Sequence, residues 1–208
     1  MTGDCLNLLK GAKIKKPVAI AASIFGLALI SLCGFPSLVL LWLAASTTVP
    51  VSASDKQALV RADDLVPFFE DYSPTPAFES FEKTRYLDGS IELTYEYDST
   101  DENEPYISAT ISYEASTQDA AAAYLATWSI QQTGLNVADQ NMELKELDSF
   151  SLAGNRSRFT NILCTGEPVG HLLVIQKKQT VYSYLISGYL IDDPYVWMEL
   201  FNKRIQSL

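Results

Sequence analysis

The sequence predicts an α+β fold: an antiparallel β-sheet flanked by helices on both faces, preceded by a single transmembrane helix. Strict alternation of apolar and polar residues marks strands from residue 91 onward. Helical spacing of apolar residues appears after Ser116 and again after Asp193. A charge-free apolar run stands ahead of both. The composition fits a folded chain, since 48% of the 208 residues are hydrophobic and 11% aromatic, with only 10 Gly and 9 Pro. That is enough apolar surface to offset the entropy of ordering, which excludes disordered and fibrous classes. The length suits one folded unit with appendages.

Charge is distributed unevenly. Residues 1–16 carry Lys10, Lys13, Lys15 and Lys16 against Asp4, whereas the rest of the chain carries 11 basic and 24 acidic residues, so the net charge of −10 combines a basic head with an acidic body. No charged side chain lies between Lys16 and Asp55. Within that gap residues 18–45 are almost wholly apolar, a run of about 28 where roughly 20 helical residues cross a hydrocarbon core. Residues 17–45 are therefore expected to span a lipid bilayer, with Val18, Ile24, Leu29 and Leu40 in the apolar core. Pro36 marks a kink or tilt, and Trp42 sits near the outer end, where an indole favours the headgroup level. The four lysines set the topology, N-terminus cytoplasmic and acidic body outside, in a periplasm, a lumen or the cell exterior. A cleaved signal peptide is the rival reading, with Val51-Ser52-Ala53 as a cleavage site, but its apolar stretch would be about half as long. A lipoprotein reading is disfavoured because bulky Leu32 precedes Cys33 and more apolar sequence follows. A hairpin broken at Gly34-Phe35-Pro36 leaves a second arm too short to recross the bilayer.

The plan that follows is a cytoplasmic tail over 1–16, the membrane helix over 17–45, a stalk and short helix over 46–78, and an extracytoplasmic domain over 79–208. Polar residues 46–54 read as stalk. Asp55 is expected to cap a short helix to about Val66, ended by Pro67. Tyr72-Ser73-Pro74-Thr75-Pro76 is punctuation, and Phe68, Phe69 and Phe78 are expected to pack against the domain edge. Ile91, Leu93, Tyr95 and Tyr97 alternate on one strand face, and Ile107, Ala109, Ile111 and Tyr113 repeat the pattern, so the two strands should pair as an antiparallel hairpin. The acidic tip, residues 99–105, lacks the glycine and ligand spacing of a calcium loop and reads as a solvated turn. Ser116 and Asp119 make a near capping box for a helix to Gly134, with Ala121, Tyr124, Leu125 and Trp128 as its buried stripe.

Strands follow at about 142–147, 156–164, 170–177 and 180–188, divided by turns at Ala153-Gly154-Asn155, Thr165-Gly166-Glu167-Pro168 and Lys178-Gln179. His171-Leu172-Leu173-Val174-Ile175 is apolar on both faces, so that strand must be central and covered on both sides. Asp193 and Pro194 start a closing helix with Trp197, Met198, Phe201 and Ile205 at helical spacing. It supplies one cover and the helix after Ser116 the other. This order, together with Asp119-Ala-Ala-Ala-Ala-Tyr-Leu-Ala-Thr-Trp128, Leu152-Ala-Gly-Asn-Arg156 and Phe201-Asn-Lys-Arg-Ile-Gln-Ser207, resembles the PsbP/Mog1/DcrB family over residues 79–208. That family groups a photosystem II extrinsic protein, a Ran-binding protein and a periplasmic lipoprotein. The resemblance implies a binding or assembly factor without chemistry of its own, and a photosynthetic membrane follows from it alone. The membrane anchor departs from the family, whose extracytoplasmic members are usually lipoproteins or cleaved.

A search for chemistry yields little. His171 is the one histidine, so any imidazole mechanism must use it. A hairpin closed at residues 165–169 would put Cys164 and His171 diagonally across two strands, a possible thiol–imidazole pair, against the plainer reading of a half-buried cysteine beside a strand-end histidine. Cys5 is expected across the membrane and Cys33 within it, which leaves Cys164 only an intermolecular bridge. Asn155-Arg156-Ser157 is a glycosylation sequon, relevant only in a eukaryotic secretory route. No phosphate loop, nucleophile elbow or HExxH occurs, and no catalytic, cofactor or metal residues are assigned. The acidic balance argues against nucleic acid. The function expected is non-enzymatic: a membrane-anchored module, an accessory subunit docking on a larger membrane protein complex. The alternative is an extracytoplasmic ligand-binding or sensor domain, with a pocket between the first hairpin and the Trp128 helix, acting through a partner.

Overall fold

The computed structural model describes residues 46–69, 72–99, 105–138, 142–147, 156–191 and 193–206. The transmembrane expectation over 17–45 and the basic tail lie outside these residues, as do the acidic hairpin tip and the turn at Ala153-Gly154-Asn155. The described elements are β1 (Thr47–Thr48), α1 (Ala53–Ala58), a 3₁₀ helix (Ala62–Phe68), β2 (Pro76–Arg85), β3 (Ile91–Ser99), β4 (Tyr106–Tyr113), α2 (Thr117–Ala138), β5 (Met142–Glu146), β6 (Arg156–Cys164), β7 (Glu167–Lys177), β8 (Thr180–Ser187) and α3 (Pro194–Gln206).

The strands form an 8-stranded sheet in the order β1-β2-β3-β4-β8-β7-β6-β5, every pair antiparallel. Two meanders are thus joined at the middle, where β4 pairs with β8 and α2 carries the chain from β4 to the far edge at β5. The predicted first hairpin forms, with Leu93 opposite Ile111 and Tyr95 opposite Ala109. Leu93, Tyr95, Tyr97, Ile107 and Ile111 are all buried, and they share the front of the sheet with Tyr184, Ile186, Leu173 and Ile175 under α3 and the 3₁₀ helix. The back carries a second core, in which Leu172, Val174, Ile162 and Met142 meet Ala120 and Tyr124 of α2. The run from His171 to Ile175 is buried throughout, as its two-faced apolar pattern requires.

Four details differ from the sequence reading. The helix expected from Asp55 to Val66 is two pieces, because Leu59 is extended (φ −83°, ψ 147°). Leu59, Val60 and Leu65 are all buried in the front core as a result. Ser52 is the N-cap, and Asp55 is the third helical residue of the capping box, returning a bond from the Ser52 N–H at 2.8 Å. Second, residues 46–78 pack on the sheet: Thr47 and Thr48 pair with Arg85 and Thr84, and the Val49 N–H donates to the Lys83 carbonyl. Third, β2 was invisible to the alternation test because its two Phe residues are an odd number apart. Phe81 faces forward against the Tyr95 ring at 4.8 Å, and Phe78 is 45% exposed on the other side.

The fourth concerns α2. Ser116 caps it as expected, its Oγ accepting from the Asp119 N–H at 3.1 Å. The helix, however, is turned toward Ala120: Ala120, Tyr124 and Leu135 are buried, Trp128 is half-buried, and Leu125 is 53% exposed. Ala120 is small enough to bring the helix axis close to the sheet, which makes 120, 124 and 128 the contact row. The helix also passes Gly134, since Leu135 finds a place in the back core. The closing helix α3 agrees with its prediction, with Asp193 Oδ1 accepting from the Tyr195 N–H at 2.8 Å and Trp197 and Phe201 buried.

Candidate functional site

His171 and Cys164 are the two residues on which a catalytic reading would rest. The register of β6 against β7 shifts between Ile162 and Leu163, so His171 stands opposite Asn161. Without that shift it would stand opposite Thr160, on the face of Cys164. One extra residue on β7 moves every later side chain to the other face. Cys164 accordingly belongs to the back core, whereas His171 lies on the front, stacked on Phe159 at 5.3 Å and edge-on to Trp197 at 5.3 Å. The sheet separates them, and the thiol–imidazole pair does not form. Cys164 is moreover disulfide-bonded within the chain, so it offers no free thiol, and the expectation that only an intermolecular bridge was open to it is corrected; the other two cysteines, Cys5 and Cys33, lie outside the described residues.

His171 makes a structural contact. Its Nε2 accepts from the Ile191 N–H at 2.9 Å, and Trp197 Nε1 donates to the Ile191 carbonyl at 3.1 Å. Both polar groups of one buried peptide residue are thereby held, and the turn from β8 into α3 is fixed to the sheet. Gly170, one residue earlier, allows the close approach: a Cβ there would lie 2.3 Å from the Ile186 carbonyl oxygen.

The back of β2, β3 and β4 is a different kind of surface. α2 covers the β5, β7 and β8 half of the back; among the described residues no helix packs on the other half. Because Leu93, Tyr95 and Tyr97 face forward, Glu92, Thr94, Glu96 and Asp98 face back. Their cross-strand neighbours are Thr84, Glu82, Ser80 and Phe78 on β2, and Ser112, Thr110 and Ser108 on β4. Apart from Phe78 these rows hold carboxylates and hydroxyls and no Lys or Arg. Their field is felt by nearby phenols. Burial pushes the Tyr106 hydroxyl up to about 12, with Glu96 and Asp98 adding to it. Burial first, then Glu92, which accepts its proton at 3.1 Å, raises Tyr86 further still. Among the described residues no three His, Cys, Asp or Glu side chains are placed to hold a metal ion.

Two ion pairs tie the N-terminal elements to the domain. Lys83 Nζ lies 2.9 Å from Asp55, and Arg204 Nη2 lies 2.6 Å from Asp64 while its Nη1 donates to the Gln57 carbonyl. Each side chain in these pairs is less than a quarter exposed.

No family model, curated protein or solved structure matches this chain.

The residues singled out for the membrane, Val18, Ile24, Leu29, Pro36, Leu40 and Trp42, and the topology-setting Lys10, Lys13, Lys15 and Lys16 all lie outside the described residues. Among the described residues no helix is long and apolar enough to cross a membrane. Trp128 lies under the Arg158 guanidinium at 4.8 Å, so the ring faces β6 and not the first hairpin. Sequence reasoning missed the acidic back rows as a unit. Their signal was the polar half of the same alternation, Glu92, Thr94, Glu96 and Asp98.

Proposed function

We propose that the protein is a membrane-anchored, non-enzymatic binding module: an α+β domain held outside a bilayer by one N-terminal helix, docking as an accessory subunit on a larger membrane protein complex. The observation that carries the reading is the charge-free run over 18–45, with four lysines before it and an acidic body after it. Nε2 of His171 and Nε1 of Trp197 are occupied in holding Ile191. That supports a scaffold in place of a reaction centre. The first chain segment joins the sheet edge at β1, so the expected membrane helix would feed directly into the folded domain with little free linker. A PsbP/Mog1/DcrB-like relationship fits this order of elements and belongs to the same proposal.

The test is sidedness. Protease added to sealed vesicles from the extracytoplasmic side should remove the domain and spare a fragment containing Lys10 to Lys16. Digestion of the tail with the domain protected, or complete release of the domain by alkaline carbonate without protease, would contradict the reading.

A further inference from the structure

We infer that one end of the sheet rests on the bilayer, with Leu87 at the headgroup level and Arg85, Lys178 and Arg156 against anionic lipid. The inference rests on the membrane-anchored reading and names the surface of the domain that the lipid meets. The strand registers place Thr47 opposite Arg85, Arg85 opposite Ile91, Ile91 opposite Tyr113, Tyr113 opposite Thr180 and Thr180 opposite Lys177. These residues form one row across the end of the sheet, and Arg156, opposite Gln176, begins β6 beside it. The chain enters the domain in this row, and β1 runs inward from it. Ala45, the last residue of the apolar run, is two residues before Thr47, a reach of about 7 Å. A bilayer crossed by residues 17–45 therefore lies against this end of the sheet. The opposite end, at Ser99, Tyr106 and Ser187, points away from it.

The side chains at the two ends differ in the same sense. In the turn from β2 to β3, Leu87 is 68% exposed, the most of any large aliphatic side chain among the described residues. The turn is built to hold it out. Tyr86 beside it is buried and donates its N–H to the Ser90 carbonyl at 2.9 Å, while Gly89, at φ 85°, donates to the Tyr86 carbonyl. Arg85, Lys178 and Arg156 are exposed at the same end. Its carboxylates are engaged locally: Asp88 accepts from the Ser90 N–H and hydroxyl, Glu114 from the Ser112 hydroxyl and Asp119 from the Ser116 hydroxyl. At the far end, residues 165–171 and 187–193 contain Glu167, Asp192 and Asp193 and no Lys or Arg. An anionic surface therefore turns the basic end toward itself and the acidic end away. A leucine among cations suits that surface, the apolar side chain entering the acyl boundary and the cations staying at the phosphates. So few contacts would hold a free domain weakly, but a tether supplies the local concentration that makes them sufficient.

The experiment uses the full chain reconstituted in phosphatidylcholine vesicles, with and without phosphatidylglycerol. Dithiothreitol is present throughout, because the partner of the Cys164 disulfide must precede residue 46 and its bond must not pull on the apolar run. Leu87→p-benzoylphenylalanine is photolysed and its lipid adducts are measured by mass spectrometry. The comparison is Tyr195→p-benzoylphenylalanine, at a position 76% exposed and beyond the far end of β8. In vesicles containing phosphatidylglycerol, position 87 should give at least about fivefold more lipid adduct than position 195. One cation at an anionic surface favours contact by about fivefold, so Lys178→Gln should lower the adduct at 87 by about that factor there and leave it unchanged in phosphatidylcholine alone. β4 separates Lys178 from the Leu87 turn, so this response reads the docking of the whole end and not a local change. Equal adduct at 87 and 195, more at 195, or no response to Lys178→Gln would overturn the proposal. Alkaline carbonate extraction of the same vesicles reads the anchor separately. A chain that stays in the membrane with equal adducts refutes the resting surface alone, whereas an extracted chain refutes the anchor and this proposal with it.

Discussion

At His171 the Nε2 lone pair supplies the acceptor that the Ile191 N–H needs, between Phe159 and Trp197, and the ring is 2% exposed. His171→Phe keeps an aromatic ring and removes the acceptor. It should cost about 1–3 kcal/mol, the penalty for leaving a buried donor unmet, read as a lower denaturant midpoint at unchanged slope. Tyr184 is the converse case. Its hydroxyl is buried and makes no hydrogen bond among the described residues, while its ring packs on Trp197 and Phe201. Tyr184→Phe should be neutral or stabilise by up to about 1 kcal/mol in the same measurement. Burial raises Tyr184 and Tyr95 above the ordinary phenol value of 10.0, and Tyr182 likewise. Above pH 10 the unfolded chain loses these protons while the native state keeps them. The native state then binds more protons, and stability must fall as pH rises through the alkaline range. Spectrophotometric titration should show the core phenols ionising together with unfolding, after the exposed ones.

The elements differ in how much of themselves they write into the sequence. In β3 and β4 one face is core and the other polar, so the period of 2 named Leu93, Tyr95, Tyr97, Ile107 and Ile111 directly. β2 gave no such signal, because it buries neither face fully and its Phe residues fall on opposite sides. In α2 the pattern fixed the existence of the helix and misread its rotation by about one position, since alanines on every side leave the apolar face undefined. Leu125→Lys should therefore change stability by no more than about 0.5 kcal/mol. Tyr124→Ala should cost about 3 kcal/mol, and equal costs at the two positions would contradict the rotation described. The extra residue in β7 had no sequence mark, and it decided the candidate site by sending His171 to the face away from Cys164. Gly170→Ala, with its Cβ aimed at the Ile186 carbonyl, should destabilise by about 3 kcal/mol or more. At α1, burial would raise the Asp55 carboxyl, but bonds from Lys83 and Ser52 outweigh it and hold Asp55 below its ordinary 3.8. A depressed carboxylate stabilises the fold above its unfolded value and loses that contribution as pH falls through the folded one. Asp55→Asn should cost about 1 kcal/mol at neutral pH and flatten the acid limb of the stability profile.

For the whole molecule, local patterns implied a sheet with two covers, and the covers are there: α3 with the 3₁₀ helix in front and α2 behind. The order of strands was not legible, because the β4–β8 pair that joins the two meanders links residues whose separation no local period records. The acidic balance of the chain is likewise not spread evenly: among the described residues the back rows of β2 and β3 carry four carboxylates, Glu82, Glu92, Glu96 and Asp98. The most direct test is gentle detergent solubilisation of native membranes through a tag at Leu208, with N-terminal sequencing of the recovered protein and mass spectrometry of its companions. The account predicts an N-terminus ahead of Lys10 and a stoichiometric membrane partner. An N-terminus near Ser54, with the protein recovered alone, would contradict it.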